Sequence, residues 1–248
     1  AMGALAATFL RNCLNSLFAG ALFLWHKKSA PSRLAWFHHG RRALVIALMS
    51  VLFFHGITLL PLAESIALSF IAPVIALILA AMMLGERIGK GAIWASLFGL
   101  AGVGVILAGR LSGEYQAGAA EGAAAVLISA CLYAYNLILA RQQAMVADAV
   151  EITFFQPAIV VCLLAPFILI FPPMAAPDLA QWGLLAGAAA LAMVSLLLLS
   201  WAYARAEAQI LIPVEYTGFL WAALFGWLFF DEALTLATLI GTALIIAG

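Results

Sequence analysis

The segment IPVEYTGFLWAALFGWLFFDE, residues 212–232, is apolar over most of its length but contains Glu215 two residues after Pro213. A helix needs about 20 mostly apolar residues to cross a bilayer, and this segment has that length and character. An ionisable side chain near the centre of such a helix costs at least about 2.5–3.5 kcal/mol, so it should face protein or water rather than lipid. The segment therefore predicts a membrane-spanning helix that carries a polar site.

The composition of the whole chain agrees with this interpretation. Of its 248 residues, 67% are hydrophobic and 9% are charged, whereas a soluble domain has about 45–50% apolar and about 25% charged residues. Nine apolar segments are long enough to span, at approximately 3–25, 43–61, 63–84, 91–109, 119–140, 150–171, 180–202, 206–229 and 234–248. Since these runs are continuous and about twice the length of a barrel strand, we predict an all-α polytopic membrane protein.

Basic residues indicate the orientation. Nine of the eleven Lys and Arg residues fall on the same side of the predicted helices, and only Arg11 and Arg110 fall on the other. Most of them lie in the connection 26–42, which also contains His26, His38 and His39 and which we interpret as a solvated loop. Because basic loops stay in the cytoplasm, this side is predicted to be cytoplasmic, and the protein to lie in the cytoplasmic (inner) membrane.

The chain contains an internal repeat with an offset of 146 residues. APVIALILAAMMLGE (72–86) aligns without a gap with GFLWAALFGWLFFDE (218–232), so that Glu86 meets Glu232 and small residues coincide at every fourth position. Such spacing lets helix backbones approach closely. The chain crosses the membrane five times between the loop of Glu86 and the loop of Glu232, and this odd number puts the two loops on opposite faces. The copies are therefore inverted, the architecture of many secondary transporters.

We assign residues 1–110 to the first repeat and 119–248 to the second. The second repeat has five helices, numbered 6–10, whereas the first has only helices 2–5. We therefore expect that a first helix precedes the printed sequence, and that the full protein has ten helices with both termini in the cytoplasm.

These residues resemble a known family. LAESIALSFIAPVIALILAAMMLGE (62–86) followed by GLAGVGVILAG (99–109), and IPVEYTGFLWAALFGWLFFDE followed by LIGTALIIAG (239–248), are similar to the two repeat signatures of EamA-type transporters of the drug/metabolite transporter superfamily. The resemblance implies an inverted-repeat fold whose central cavity carries small metabolites across the membrane, with amino acids and their relatives as the leading substrate class. Asp231 stands where the first repeat has Gly85, so the two turns are expected to differ.

Glu215 is the first candidate site residue. It lies about 15 Å into its predicted helix, close to the bilayer midplane. Under the offset it matches Ser69, and Pro73 lies at a similar depth in the first copy, so both helices carry a polar group and a proline where transporters often bind substrate. Glu215 either contacts substrate or a coupling proton, or it is a buried acid that fixes helix packing.

The other candidates are distributed over several helices. Ser129, Tyr133 and Asn136 form a polar stripe that lines the cavity or makes interhelical hydrogen bonds. Four further residues are candidates for the site, and a packing or interfacial role is the alternative for each. They are Tyr216, His55, Gln156 and Arg11. Glu64 and Glu207 begin predicted helices, where the helix dipole favours a carboxylate. Glu86, Asp231 and Glu232 are interpreted as loop and cap residues.

The sequence contains no catalytic, nucleotide-binding or zinc-binding motif, and its three cysteines form no CxxC pair. We predict that the chain is not an enzyme and uses no cofactor or metal, and that its partners are a small molecule and the lipid bilayer but no nucleic acid. The predicted function is gradient-driven movement of an amino acid or related metabolite by alternating access. Transport of a nucleoside-like or vitamin-like solute, or a purely structural membrane role, are the alternatives.

Overall fold

The computed structural model describes residues 4–26, 30–108, 118–170, 177–230 and 236–247. In these ranges the chain is helical apart from short connections, which confirms the predicted all-α class. The helices are α1 (Ala4–His26), α2 (Arg33–Leu59), α3 (Leu62–Ser69), α4 (Ala72–Leu79), α5 (Lys90–Ala108), α6 (Ala119–Ala144), α7 (Ala149–Ile170), α8 (Leu179–Tyr203), α9 (Ala208–Leu211), α10 (Gly218–Phe230) and α11 (Leu236–Ala247). A π-helical turn, Ala80–Leu84, follows α4, and a 3₁₀ segment, Ile212–Thr217, joins α9 to α10.

Six helical stretches within the described ranges are long and apolar enough to cross a membrane. They are Leu5–His26, Arg33–Leu59, Glu64–Leu84, Ala119–Ala144, Ala149–Ile168 and Leu179–Tyr203. A seventh apolar helix, Lys90–Val105, is shorter. The chain is therefore a multi-pass membrane protein.

The start of α2 differs from the sequence prediction. We expected a loop as far as residue 42, but the helix already begins at Arg33. The reason is local, because the Ser32 hydroxyl accepts a hydrogen bond from the Ala35 N–H at 3.1 Å and so satisfies a free amide of the first turn. The basic and histidine-rich stretch is thus an extension of the spanning helix, and the prediction that His39 is solvated is wrong, since its side chain is fully buried.

The 146-residue offset recurs in the helix boundaries. Helices α2 and α8 begin at residues 33 and 179, α3 and α9 at 62 and 208, and α4 and α10 at 72 and 218. In both copies the fifteen-residue motif found in the sequence follows an interruption, at Phe70–Ile71 in the first and at the 3₁₀ segment in the second. The interruptions coincide with Pro73 and Pro213, which lack the N–H that a continuous helix requires.

The structure divides into two compact units. The first unit consists of Ala1–Phe54 and Leu139–Ala206. In it α1, α7 and α8 pack against one another. A side chain at Gly20 would meet the Phe154 ring at 3.1 Å, which shows how closely α1 approaches α7, and Phe23 stacks on Phe154 with ring centroids 5.2 Å apart.

The second unit consists of His55–Ile138 and Glu207–Gly248. Its core contains Val103, Tyr216 and Ile245. Here α5 packs against α11 so closely that a Cβ at Gly102 would lie 2.5 Å from the carbonyl oxygen of Gly241. Small residues at this crossing permit the approach, as expected for helices that associate in a membrane.

Each unit contains helices from both predicted repeats, and the repeat boundaries 1–110 and 119–248 stay a prediction. Several residues used in the sequence argument lie outside the described ranges. They are Lys27, Lys28, Arg110, Asp231 and Glu232.

Candidate functional site

The central feature of the second unit is a hydrogen bond between Tyr133 and Glu215. The Tyr133 hydroxyl on α6 donates to Glu215 Oε2 at 2.6 Å, a short distance typical of an O–H donor on a carboxylate. Glu215 lies within the 3₁₀ segment and is half-buried. The two residues are 82 positions apart in sequence, and the structure brings these two predicted site residues together.

The local sequence explains why Glu215 lies at an irregular point of the backbone. Pro213 occupies the start of the 3₁₀ segment and cannot donate to an earlier carbonyl. Thr217 closes the segment, with its hydroxyl donating to the carbonyl oxygen of Val214 at 2.7 Å. Interrupted helices within a membrane place backbone polar groups beside side chains that can bind an ion or substrate.

Two further members of the stripe are buried on the helix that carries Tyr133. Ser129 and Asn136 are each about 5% exposed and lie four residues before and three residues after it on α6. This spacing puts all three on one face of the helix. The stripe predicted from the sequence therefore lies on the buried side of α6.

The hydroxyl groups of Ser69 and Tyr216 donate hydrogen bonds to backbone carbonyl oxygens. Ser69 Oγ donates to the carbonyl oxygen of Ser65 at 2.8 Å, within the helix α3. The Tyr216 ring is 1% exposed in the core, and its hydroxyl lies 3.3 Å from the carbonyl oxygen of Phe70. These two contacts favour a structural role for both residues in this conformation.

His55 lies on an exposed part of the second unit. Its Nε2 is 3.0 Å from Glu121 Oε1, and both side chains are substantially exposed. Nearby residues of α3 and α6, among them Glu64, Ala67 and Ala120, line a mostly apolar cavity of about 480 Å³. Glu64 lies in the first turn of α3, where the helix dipole favours a carboxylate.

The two remaining candidates, Arg11 and Gln156, belong to the first unit. Arg11 is half-buried on α1. Gln156 on α7 is 2% exposed, and its Oε1 accepts a hydrogen bond from Gln143 Nε2 at 3.1 Å. Seven of the nine predicted site residues are thus in the second unit and two in the first.

Gln156 leads to a polar cluster that the sequence analysis missed. Buried side chains from α2, α6 and α7 form a hydrogen-bonded chain in the first unit, and its members are Arg42, Gln143, His39, Glu151 and Gln156. The sequence pattern predicts that the α2 residues of this cluster lie in a solvated loop. Ser32 is a typical helix-start residue, and reading it as the cap of α2 would have predicted that the helix includes His39 and Arg42.

Neither the Tyr133–Glu215 pair nor the polar cluster of the first unit has the composition of a metal site. Among the residues that the structure describes, no three His, Cys, Asp or Glu side chains are grouped so that they could hold a metal ion. The chemistry available is therefore that of a carboxylate held by a phenol in one unit, and of an imidazole held between an amide and a carboxylate in the other.

Comparisons with known proteins agree with this arrangement of helices. The sequence profile of the EamA-like transporter family matches residues 1–108 and 120–248. Two curated relatives, both named pseudopaline exporter CntI and found in the UCBPP-PA14 and PAO1 strains of Pseudomonas aeruginosa, are 28% identical over 208 residues, or 84% of this chain and 71% of theirs. A solved crystal structure superposes with a TM-score of 0.87 at 20% identity, over 100% of this chain and 87% of the other, and so supports the fold alone.

Proposed function

The chain belongs to the EamA-like transporter family, and from this membership we propose that it exports an amino acid or a related small metabolite across the cytoplasmic membrane, driven by an ion or substrate gradient. Members of this family are membrane transporters and not enzymes. The direction and the substrate class are the proposal. Export is favoured because the two curated relatives are named as exporters.

The Tyr133–Glu215 pair is the observation that carries the proposal. It places a half-buried carboxylate at the broken point of a membrane helix, held by one phenol hydroxyl. A carboxylate in a poorly solvated position gains strongly from a cationic partner, because the attraction between charges grows as the effective dielectric falls. The ammonium group of an amino acid, or a coupling proton, would provide that partner.

The repeat supports alternating access as the mechanism. Phe70 and Tyr216 are separated by the repeat offset of 146 residues, and in the second unit they touch, with ring centroids 5.8 Å apart. Contact between equivalent residues is expected near an axis that relates two copies. Inverted repeats of this kind give a transporter two similar conformations that open to opposite sides.

The location in the cytoplasmic membrane and the orientation rest on the basic residues. Four arginines lie at or beside helix ends that the topology assigns to one side, and they are Arg33, Arg87, Arg141 and Arg205. We infer that this side is cytoplasmic, in keeping with the positive-inside tendency. The termini of the full protein would then also be cytoplasmic.

The proposal is tested by transport into inverted membrane vesicles or proteoliposomes, in which uptake corresponds to export. Pools of labelled amino acids, nucleosides and vitamins are supplied with and without a proton gradient. We expect saturable uptake from an amino acid pool and its loss in Glu215→Gln. Uptake only from a nucleoside or vitamin pool would replace the substrate class, and no uptake from any pool would contradict the export proposal.

Two variants make the test specific. Glu207→Gln is the matched control, because it makes the same chemical change on an exposed carboxylate, and it should transport like the wild type. Tyr133→Phe removes only the hydroxyl that holds Glu215. Since a hydrogen bond to a charged group contributes about 1.5–3 kcal/mol when buried, and this carboxylate is half-buried, we expect KM to rise by roughly tenfold.

A further inference from the structure

The buried cluster of the first unit is a continuous chain of donors and acceptors. Arg42 Nη1 donates to Gln143 Oε1 at 2.7 Å. The two hydrogens of Gln143 Nε2 point to His39 Nδ1 at 2.7 Å and to Gln156 Oε1 at 3.1 Å. His39 Nε2 lies 3.1 Å from Glu151 Oε1. Every one of these five side chains is at most 5% exposed.

This pattern fixes the protonation state of His39. Gln143 Oε1 is occupied by a guanidinium donor, so its Nε2 must be the group that faces the imidazole. Because an amide nitrogen can only donate, His39 Nδ1 must be an acceptor without a hydrogen. The hydrogen of the neutral ring is then on Nε2, which donates to the Glu151 carboxylate.

The charges around His39 make a second proton costly in this arrangement. On α2 the neighbouring cationic or titratable groups are Arg42, Arg41 and His38. The helix α6 presents the uncharged Gln143, and α7 presents Glu151. Trp36 and Phe155 cover the ring, with centroids 6.3 and 5.5 Å from that of His39. Arg42 and Glu151 bring opposite charges to the cluster, and a proton on His39 would add a positive charge to a buried site.

Gln156 provides a way to accommodate that proton. Its Nε2 is buried and has no hydrogen-bond partner among the residues that the structure describes. If the amides of Gln143 and Gln156 both turn over, Gln143 Oε1 can accept from a protonated His39 Nδ1 and from Gln156 Nε2 together. The same turn presents the Gln143 NH₂ group to Arg42, where two donors repel, so this arrangement excludes the Arg42–Gln143 bond.

We propose that His39 is a binding site for the coupling proton, and that its protonation turns the Gln143 amide and releases Arg42 from it. A hydronium ion gives up the proton, so that one O–H bond breaks, one N–H bond forms at Nδ1 and a water molecule remains. Otherwise only hydrogen bonds are exchanged. Because Arg42 and His39 both lie on α2, the occupancy of one nitrogen determines whether α2 is bonded to Gln143 of α6 through both side chains or through His39 alone. This inference rests on the proposed gradient-driven transport and adds the residue at which a proton acts.

The tautomer is tested directly by ¹⁵N NMR of histidine-labelled protein in lipid nanodiscs. The chain has only four histidines, and the His39 signal is the one that His39→Gln removes. We expect a neutral Nε2–H ring at pH 8 and a doubly protonated ring on acidification, because the proton that the proposal invokes must bind at Nδ1. An Nδ1–H tautomer, or no titration between about pH 5 and 8, would overturn the proposal.

Transport gives the second test. Gln retains one donor and one acceptor, so in His39→Gln we expect substrate counterflow to continue while accumulation driven by a proton gradient falls to a ratio of about one and the pH profile flattens. Gln143→Glu places a carboxylate between the imidazole and Arg42 and should move the pH profile towards alkaline pH by about one unit or more. His38→Gln is the control for a half-buried neighbour and should behave as the wild type.

The outcomes separate this inference from the proposed function. Proton-driven transport that is unchanged in both His39→Gln and Gln143→Glu would refute the role of His39 and leave the export proposal standing. If the wild type transports none of the pools, the export proposal fails, and the NMR titration still decides whether His39 binds a proton in the predicted tautomer.

Discussion

Glu86 is expected to stabilise the protein from a distance of more than 100 residues in sequence. Its Oε1 accepts the Ala208 N–H at 2.8 Å and its Oε2 accepts the Gln209 N–H at 2.9 Å. These are free amides at the start of α9, which a capping side chain normally satisfies. Glu207, the residue immediately before α9, makes no such bond through its side chain.

The size of the effect follows from these contacts. Replacing a capping side chain by Ala costs about 0.5–2 kcal/mol. Glu86 satisfies two amides with a charged acceptor and is half-buried, so we place Glu86→Ala in the upper part of that range, at about 1–2 kcal/mol. For a chain of this length, 1 kcal/mol corresponds to about 2–4 °C in Tm, which gives a decrease of about 2–8 °C.

The measurement is thermal unfolding in detergent, followed by tryptophan fluorescence. Glu86→Gln keeps one acceptor oxygen and should fall between the wild type and Glu86→Ala. Glu207→Ala is the control, since removal of an exposed side chain without a capping bond should change stability by less than about 0.5 kcal/mol. If Glu207→Ala lowers Tm as much as Glu86→Ala does, the assignment of the cap to Glu86 is wrong.

Two further predictions concern packing in the second unit. Gly102→Ala should lower the yield of monodisperse protein, measured by size-exclusion chromatography, because the added Cβ would lie 2.5 Å from the backbone oxygen of Gly241; Gly104→Ala, whose Cβ would meet no atom within 4 Å, should not. Tyr216→Phe should keep transport and lose less than about 1 kcal/mol of stability, since only a long 3.3 Å bond to the Phe70 carbonyl disappears. A loss of transport in Tyr216→Phe with normal stability would instead place Tyr216 in the substrate path.

The membrane helices were predictable because they depend on local pattern. Apolar runs located nine segments, and each has a helical counterpart in the described residues. The main error was the start of α2 at Arg33. A dense group of basic residues was interpreted as a loop, since charges are excluded from hydrocarbon, but a helix can continue beyond the apolar region when a residue such as Ser32 caps its first turn.

The candidate site was only partly predictable, because its contacts join distant parts of the chain. Glu215 and Tyr133 were each chosen for being polar within an apolar helix, but nothing in the sequence paired them. The cluster around His39 was missed for the same reason, since its bond to Glu151 spans 112 residues. Periodicity shows which face of a helix is polar. It does not show which other helix that polar face contacts.

Three carboxylates differ in the type of partner that holds them. Glu86 is held by backbone amides, which have fixed protonation and remain in place as long as the helix exists. Glu215 and Glu151 are held by a phenol and an imidazole, side chains that can turn away, and the imidazole can also gain a proton. A transport cycle needs polar contacts that form and break at low cost. Under the proposed mechanism, this difference in partners places Glu86 in the scaffold and places Glu215 and Glu151 beside the groups that bind substrate or a proton, although all three are acids within or beside apolar helices.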